Sequence, residues 1–336
     1  MDAMTRANKT ILITGGAGYV GSALVPALLN AGYRVKVLDL YLFGDKVLDD
    51  VKHCSNLEQI KGDIRNRKLL ESVLPGCDTV IHLACISNDP SFELNPDLGK
   101  SINYDAFVGL VDVAKASGIR RFVYASSSSV YGIKKEENVT EALPLNPMTD
   151  YSKYKALCED VLMKKRSPDF VALIFRPSTV CGYAPRLRLD LTVNILTHHA
   201  VVNRKIVVFG GQQMRPNIHI RDMVAAYLKA MEWPDEVVNG KIYNVGYNNY
   251  RVMDIANMVR DVVGGEIQIV TQPTDDLRSY HVSSEKIRRE LGFSAQHTVQ
   301  EAIRDLMNAF QAKKIPNSMT DIRYYNIKTM QSLHLK

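Results

Sequence analysis

Residues 10–22 read Thr10-Ile11-Leu12-Ile13-Thr14-Gly15-Gly16-Ala17-Gly18-Tyr19-Val20-Gly21-Ser22. A β-prone run leads straight into a glycine cluster, and helical periodicity follows over Val20–Ala31. Gly15, Gly18 and Gly21 make a GxxGxxG turn. The first glycine allows the tight turn, the second lets backbone approach a diphosphate, and the third lets the helix pack close to the strand. A diphosphate placed there meets the free amides and the dipole of a helix N-terminus. Asp39 ends the next apolar run, close to the spacing expected of an acid that holds an adenosine ribose. A carboxylate there repels a 2′-phosphate, so the expected cofactor is NAD rather than NADP. Gly15, Gly18, Tyr19, Val20 and Asp39 are therefore candidate cofactor residues.

Outward from this stretch, short apolar β-rich runs recur at Thr10–Thr14, Arg34–Asp39, Leu57–Lys61, Asp78–Leu83, Arg120–Ala125 and Phe170–Phe175. Helical patterns separate them at Val20–Ala31, Lys68–Leu74, Leu98–Ser117 and Tyr151–Lys165. That alternation predicts an α/β fold of Rossmann type, a doubly wound parallel sheet covered on both faces. Beyond residue 180 the pattern loosens. Helices are expected near Leu187–Val201, Met223–Met231, Met253–Val263 and Val299–Gln311, mixed with strands at Lys205–Phe209, Lys241–Val245 and Glu266–Val270. We expect a cofactor domain over 1–180, a smaller mixed α/β substrate lobe over 181–312 interleaved with it, and a tail over 313–336.

Composition narrows the classes. With 336 residues, 46% hydrophobic and 23% charged, the chain has the balance of a globular protein. A net charge of +6 suits an anionic ligand but is far from a nucleic-acid-binding stripe. Thr10–Tyr33 carries no charge, yet its glycines and Pro26 break it up, so no membrane span is expected. The first ten residues lack the apolar core of a signal peptide. Five scattered cysteines without a CxxC pair read as reduced thiols in a cytoplasmic protein, and no metal site is expected.

The chemistry comes from two later stretches. Tyr151-Ser152-Lys153-Tyr154-Lys155 puts a Tyr and a Lys on one helix face, where an ammonium can stabilise a phenolate whose reference pKa is near 10. Ser126-Ser127-Ser128-Ser129-Val130-Tyr131-Gly132 follows a strand at the carboxyl edge of the sheet, where open α/β folds place ligands. A serine hydroxyl there can hydrogen-bond the substrate oxygen that Tyr151 deprotonates.

Together with Gly62-Asp63-Ile64, His82-Leu83-Ala84, Asn103, Arg176-Pro177, Arg215–Asp222 and Asp276-Leu277-Arg278, these motifs make the chain resemble an extended short-chain dehydrogenase/reductase of the NAD-dependent nucleotide-sugar epimerase/dehydratase family, over roughly residues 9 to 312. The resemblance implies that Ser127, Tyr151 and Lys155 are catalytic and that Asp63 and Ile64 flank the adenine. It adds Leu83, Ala84 and Pro177 to the cofactor site, and it places Arg215 and Arg278 on the diphosphate of a nucleotide sugar. Family dehydratases resemble one another in an Asp-Glu pair after the catalytic hydroxyl residue. This chain has Ser128 and Ser129, neither a proton-transfer acid, and both are expected to face substrate.

What remains is oxidation or reduction at one carbinol carbon, as in a UDP-sugar 4-epimerase. A C4-dehydrogenase or 4-ketoreductase, for instance of the GDP-heptose type found in surface-polysaccharide biosynthesis, uses nearly the same residues. Thr179 with Arg186 resembles UDP-glucuronate 4-epimerases, where such residues meet the sugar carboxylate, although Tyr183–Leu191 departs from their pattern. A non-catalytic NAD-binding protein is the rival from another class; such proteins commonly lack the Tyr or Lys that this chain retains. The resemblance also implies a homodimer seam built on Ile102, Phe107, Leu110, Val111, Leu157, Val161 and Leu162. The tail after Ile315, with Tyr324, Tyr325 and Asn326, matches no pattern of that family.

Overall fold

The computed structural model describes residues 6–274 and 279–333. Its strands are β1 (Thr10–Thr14), β2 (Arg34–Asp39), β3 (Leu57–Lys61), β4 (Thr79–His82), β5 (Arg121–Ala125), β6 (Val171–Pro177), β7 (Thr179–Cys181), β8 (Lys205–Phe209), β9 (Met214–His219), β10 (Lys241–Val245), β11 (Asn248–Arg251) and β12 (Gln268–Gln272). Seven of them form one sheet in the order β10-β6-β5-β4-β1-β2-β3, every neighbouring pair parallel. The order reverses between β1 and β4, which opens a crevice at the carboxyl ends of those strands. Alternate residues of β1 serve opposite faces: Leu12 joins one core cluster, Ile11 and Ile13 the other. Both faces are buried, which is why the strands read as continuous apolar runs.

The later strands split three ways. β7, β9 and β11 form a small mixed sheet, and β8 pairs with β12. β10, from the region expected to build the second lobe, instead extends the large sheet beside β6. The helix Ile220–Ala230 likewise packs on the glycine-turn helix Tyr19–Asn30. The third core, around Val193, Ile206, Ile255 and Ile303, holds the second lobe together.

Two expected helices differ in a way that bears on the site. The one expected over Leu98–Ser117 is two segments, Pro96–Lys100 and Ala106–Ala116, joined by a π-type turn at Ser101–Asp105. The wider turn carries Asn103 inward, where its side chain accepts from the Ile86 amide at 2.8 Å and donates to the Ile86 carbonyl at 2.9 Å. The helix expected from Leu187 begins only at Thr192. Before it, Arg186, Arg188 and Asp190 face one way into a cavity while Leu187 and Leu189 are buried on the other side. That period of two belongs to extended chain rather than helix.

Five of the seven residues expected at a dimer seam (Ile102, Phe107, Leu110, Val111 and Leu162) are buried within this chain, because the two helices pack on their own sheet. Leu157 stays exposed. Among the described residues, no helix is long and apolar enough to cross a membrane.

Candidate active site

The carboxyl ends of β1, β4, β5 and β6 open on one cavity of about 560 Å³, a usual size for a ligand site. At the end of β1 the glycine turn is enforced by packing. A Cβ on Gly15, whose φ is +77°, would lie 2.6 Å from the Ala84 amide nitrogen, and one on Gly21 would lie 2.5 Å from the Gly15 carbonyl oxygen. The helix Tyr19–Asn30 that follows has no side-chain cap and no acidic residue in its first turn. Its leading amides are thus left for an anion. The Tyr19 backbone belongs to this turn, but its hydroxyl points away and donates to the Gly182 carbonyl at 2.6 Å.

Asp39 lies at the rim of the same cavity. Its carboxylate accepts from the Ala17 amide at 2.9 Å and the Tyr41 amide at 2.8 Å, so it braces the glycine turn as well as facing the space a ribose would take. Burial raises its pKa against those two hydrogen bonds. Asp63 and Ile64 line the cavity with Val20, Leu83, Ala84 and Pro177. Burial pushes the Asp63 carboxyl up, but its pairing with Arg65 at 2.7 Å outweighs this and holds it below the ordinary range. These residues, on an open amide cradle with an acid at the end of β2, fit NAD.

The expected catalytic trio meets here. Thr149 and Ser152 form a capping box that starts the helix Asp150–Lys165, which puts Tyr151 in its first turn and Lys155 one turn on. Ser127 caps the short turn Ser128–Tyr131 after β5; its Oγ accepts from the Ser129 amide and lies 2.8 Å from Ser129 Oγ. Lys155 is 4% exposed, and its ammonium donates to the Ala125 carbonyl at 2.6 Å, 5.9 Å from the Tyr151 ring centre.

The electrostatics bring in residues besides Lys155. Burial first, then Cys85 and Asp89, push the Tyr151 phenol above its ordinary range. The opposing influences are the charge of Arg188 and a hydrogen bond with Ser127. Arg188 is itself 8% exposed; it pairs with Asp190 at 2.8 Å and reaches Ser87 Oγ at 3.2 Å.

Arg186, expected at the sugar, lines the cavity beside the glycine-turn helix. Its guanidinium carbon lies 3.6 Å over the Phe43 ring centre, and its amide donates to Ser22 Oγ in the first turn of the glycine-turn helix. Ser128, Ser129, Thr179 and Arg215 all line the cavity, with Arg215 near the Tyr280 ring. Arg278 lies outside the described residues. Phe43, Cys85, Ser87, Asp89, Asp190, Asn326 and Met330 also line the cavity and escaped the sequence reading. Only the alternation of Arg186-Leu187-Arg188-Leu189-Asp190 carried a usable signal for any of them.

Known proteins sharpen the picture. The family model described as "NAD dependent epimerase/dehydratase family" matches residues 11–246. A UDP-glucose 4-epimerase of Cyamopsis tetragonoloba is 28% identical over 331 residues, covering 90% of this chain and 95% of its own. The Thermotoga maritima UDP-glucose 4-epimerase, solved with UDP-glucose, aligns with a TM-score of 0.82 at 23% identity, over 90% of this chain and 99% of that one. A dTDP-glucose 4,6-dehydratase of Streptomyces venezuelae, solved with NAD, also reaches 0.82 at 23% identity, over 92% and 99%. Epimerase and dehydratase thus share this fold, as the sequence resemblance implies. With the family model spanning well over half its length and an NAD cradle at its sheet edge, the chain belongs to the NAD-dependent epimerase/dehydratase family.

Proposed function

We propose that the protein is an NAD-dependent nucleotide-sugar 4-epimerase. The observation that carries the reading is one cavity that joins the glycine turn to Tyr151, Ser127 and Lys155, with hydroxyls rather than acids at Ser128 and Ser129. The name of the Cyamopsis relative supports UDP-hexoses as the first substrates to test.

NAD, when bound, supplies the acceptor for the hydride leaving C4 and the donor that returns it to the opposite face. The chain's own residues handle the proton. Tyr151 takes it from the C4 hydroxyl, and Ser127 hydrogen-bonds the same oxygen and holds it in line. Arg188 and Ser127 favour the phenolate, and the Lys155 ammonium adds fixed positive charge nearby. Retracing the same path returns the proton. Ser128, Ser129 and Thr179 offer short hydroxyl side chains, which suit a sugar that has to turn over between the two half-reactions. Arg215 beside Tyr280 is our candidate for the nucleotide diphosphate, with Arg278 its proposed companion.

The further parts of this reading are separate proposals. A homodimer rests on exposed Leu157 and half-buried Val161 on the helix Asp150–Lys165, and sizing by light scattering tests it. A cytoplasmic location rests on Cys54, Cys77, Cys85, Cys158 and Cys181 as free thiols.

The test uses purified protein without added cofactor on UDP-glucose and a panel of UDP-, GDP-, CDP- and dTDP-sugars, read by NMR and 340 nm absorbance. An epimer with no lasting absorbance is the expected result. A keto sugar with lasting absorbance would replace the reading by a C4-dehydrogenase, and silence across the panel would overturn it. Tyr151→Phe should cut turnover by about a hundredfold or more while NAD stays bound, the usual scale for a lost general base. Undiminished turnover would remove Tyr151 from the mechanism.

A further inference from the structure

Asn326 stands at the start of the C-terminal helix Asn326–Leu333 and is 4% exposed. Each of its polar groups except the carbonyl is spent on one of two walls of the cavity. Its amide donates to Asp190 Oδ2 at 2.9 Å, its Nδ2 donates to Ser87 Oγ at 2.7 Å, and its Oδ1 accepts from the Arg186 guanidinium. Ser87 follows β4 in the large sheet, whereas Asp190 and Arg186 precede the helix Thr192–Asn203. One turn on, Met330 lines the same cavity and packs on the core beneath it. The segment is pinned further where Leu189 donates to the Tyr324 carbonyl at 2.9 Å. It therefore crosses the cavity from one wall to the other.

Arg186 itself is unfinished. It is 4% exposed, and its Nε has no hydrogen-bond partner among the described residues. A buried guanidinium with an unused donor is costly unless an anion completes it. Arg188 adds a second positive charge close by, which the carboxylates of Asp190 and Asp39 oppose. The backbone of Arg186 is fastened to Ser22, inside the first turn of the helix whose amides are uncapped. Two independent features, open amides and a buried unpaired donor, thus belong to residues that line one cavity, and each calls for an anion.

We propose that Arg186 is a ligand of the cofactor diphosphate, and that Asn326 of the C-terminal segment latches it there, so that this segment is the strap that retains NAD. Departure of the cofactor then requires the Asn326–Arg186 contact to break and the strap to lift. The inference rests on the cavity as the NAD site and holds whichever C4 reaction the enzyme performs.

The test measures NAD, not turnover. Full-length protein and variants are loaded with NAD and diluted into buffer, and bound cofactor is followed with time after rapid gel filtration. Loss of a hydrogen bond to a charged group predicts release about tenfold or more faster for Arg186→Met and Asn326→Ala. Asn326→Asp should also release faster, because its carboxylate competes with the diphosphate for Arg186. Release at the wild-type rate from all three folded variants would overturn the proposal. A second measurement needs no variant: tryptic cutting of the wild-type chain after exposed Arg323 and Lys328 should slow at least about tenfold when NAD saturates the site, if opening the strap is what admits the protease. Equal cutting with and without NAD would overturn it too. If the sugar panel proves silent while NAD release behaves as stated, the epimerase reading fails and the strap stands.

Discussion

Tyr151 occupies a position that resists its own ionisation. Burial, with Cys85 and Asp89 beside it, favours the neutral phenol, and the strongest opposing charge is that of Arg188. The YxxxK spacing pointed to Lys155, because spacing sees only neighbours along a helix. The charge of Arg188 acts on the same phenol from another segment, where nothing in local sequence connects the two. Removing that charge by Arg188→Met should push Tyr151 higher still. The phenolate fraction at neutral pH then falls, so the acid limb of kcat/KM moves to higher pH and the rate recovers toward alkaline conditions. Arg188→Lys, which keeps a positive charge, should return part of the shift. A pH profile at saturating NAD checks this; a lower plateau with an unmoved limb would confine Arg188 to binding.

At the scale of elements, the end of the sheet is held in place by one buried ionic network. Arg176 on β6 pairs with Glu159 on the helix Asp150–Lys165 at 2.6 Å, the two side chains being 4% and 3% exposed. Ser126, at the end of β5, donates to the same carboxylate. Arg176 donates to the Tyr131 hydroxyl at 2.7 Å, and that hydroxyl donates to Asn244 on β10 at 2.8 Å. Strands, catalytic helix and serine turn are thus tied together directly behind Ser127. Glu159→Leu leaves Arg176 buried without its partner and should cost about 3–5 kcal/mol in urea unfolding, by a lower midpoint at unchanged slope. A loss below about 1 kcal/mol would mean that the neighbouring hydroxyls suffice. The sequence already displayed Arg176-Pro177 and the serine turn as motifs, but not Glu159, which looks like any helical acid until the fold buries it. The central strands β1, β4, β5 and β6 were readable because both sheet faces are buried there and their runs are mostly apolar. The helix over 98–117 is present, but its π-type turn was not legible, because only the fold shows that Asn103 bonds with Ile86. Arg188 and Asp190 were expected inside a helix because a stretch rich in leucine and arginine suits a helix by propensity as well as a strand by alternation.

For the molecule as a whole, what stayed illegible is whatever depends on long-range closure. Asn326 meets Ser87, Arg186 and Asp190 only after both lobes and the tail have come together, and no local period encodes that. Folding also buries histidines, His82 in the core of the large sheet and His198 against the tail, which sets how the fold responds to acid. Unfolded, an imidazole binds its proton near pH 6.5. Folded, burial and then the Lys155 charge hold His82 down to about 3, and burial and then His199 hold His198 down to about 4. Between the two values the unfolded chain binds more protons than the native one, so this stability is complete above about pH 6.5 and is lost as pH falls, by up to about 1.4 kcal/mol per pH unit for each group. Asp39 and Glu141, raised by burial, work in the opposite sense. The test is therefore a difference. Urea midpoints at pH 7.5 and 5.0 should fall for the wild type and fall distinctly less for His82→Asn, whose amide has no proton to gain and can still meet Thr14, now 2.7 Å from the imidazole. An equal drop in both proteins would mean that acid acts elsewhere, and that His82 opens to solvent before the chain unfolds.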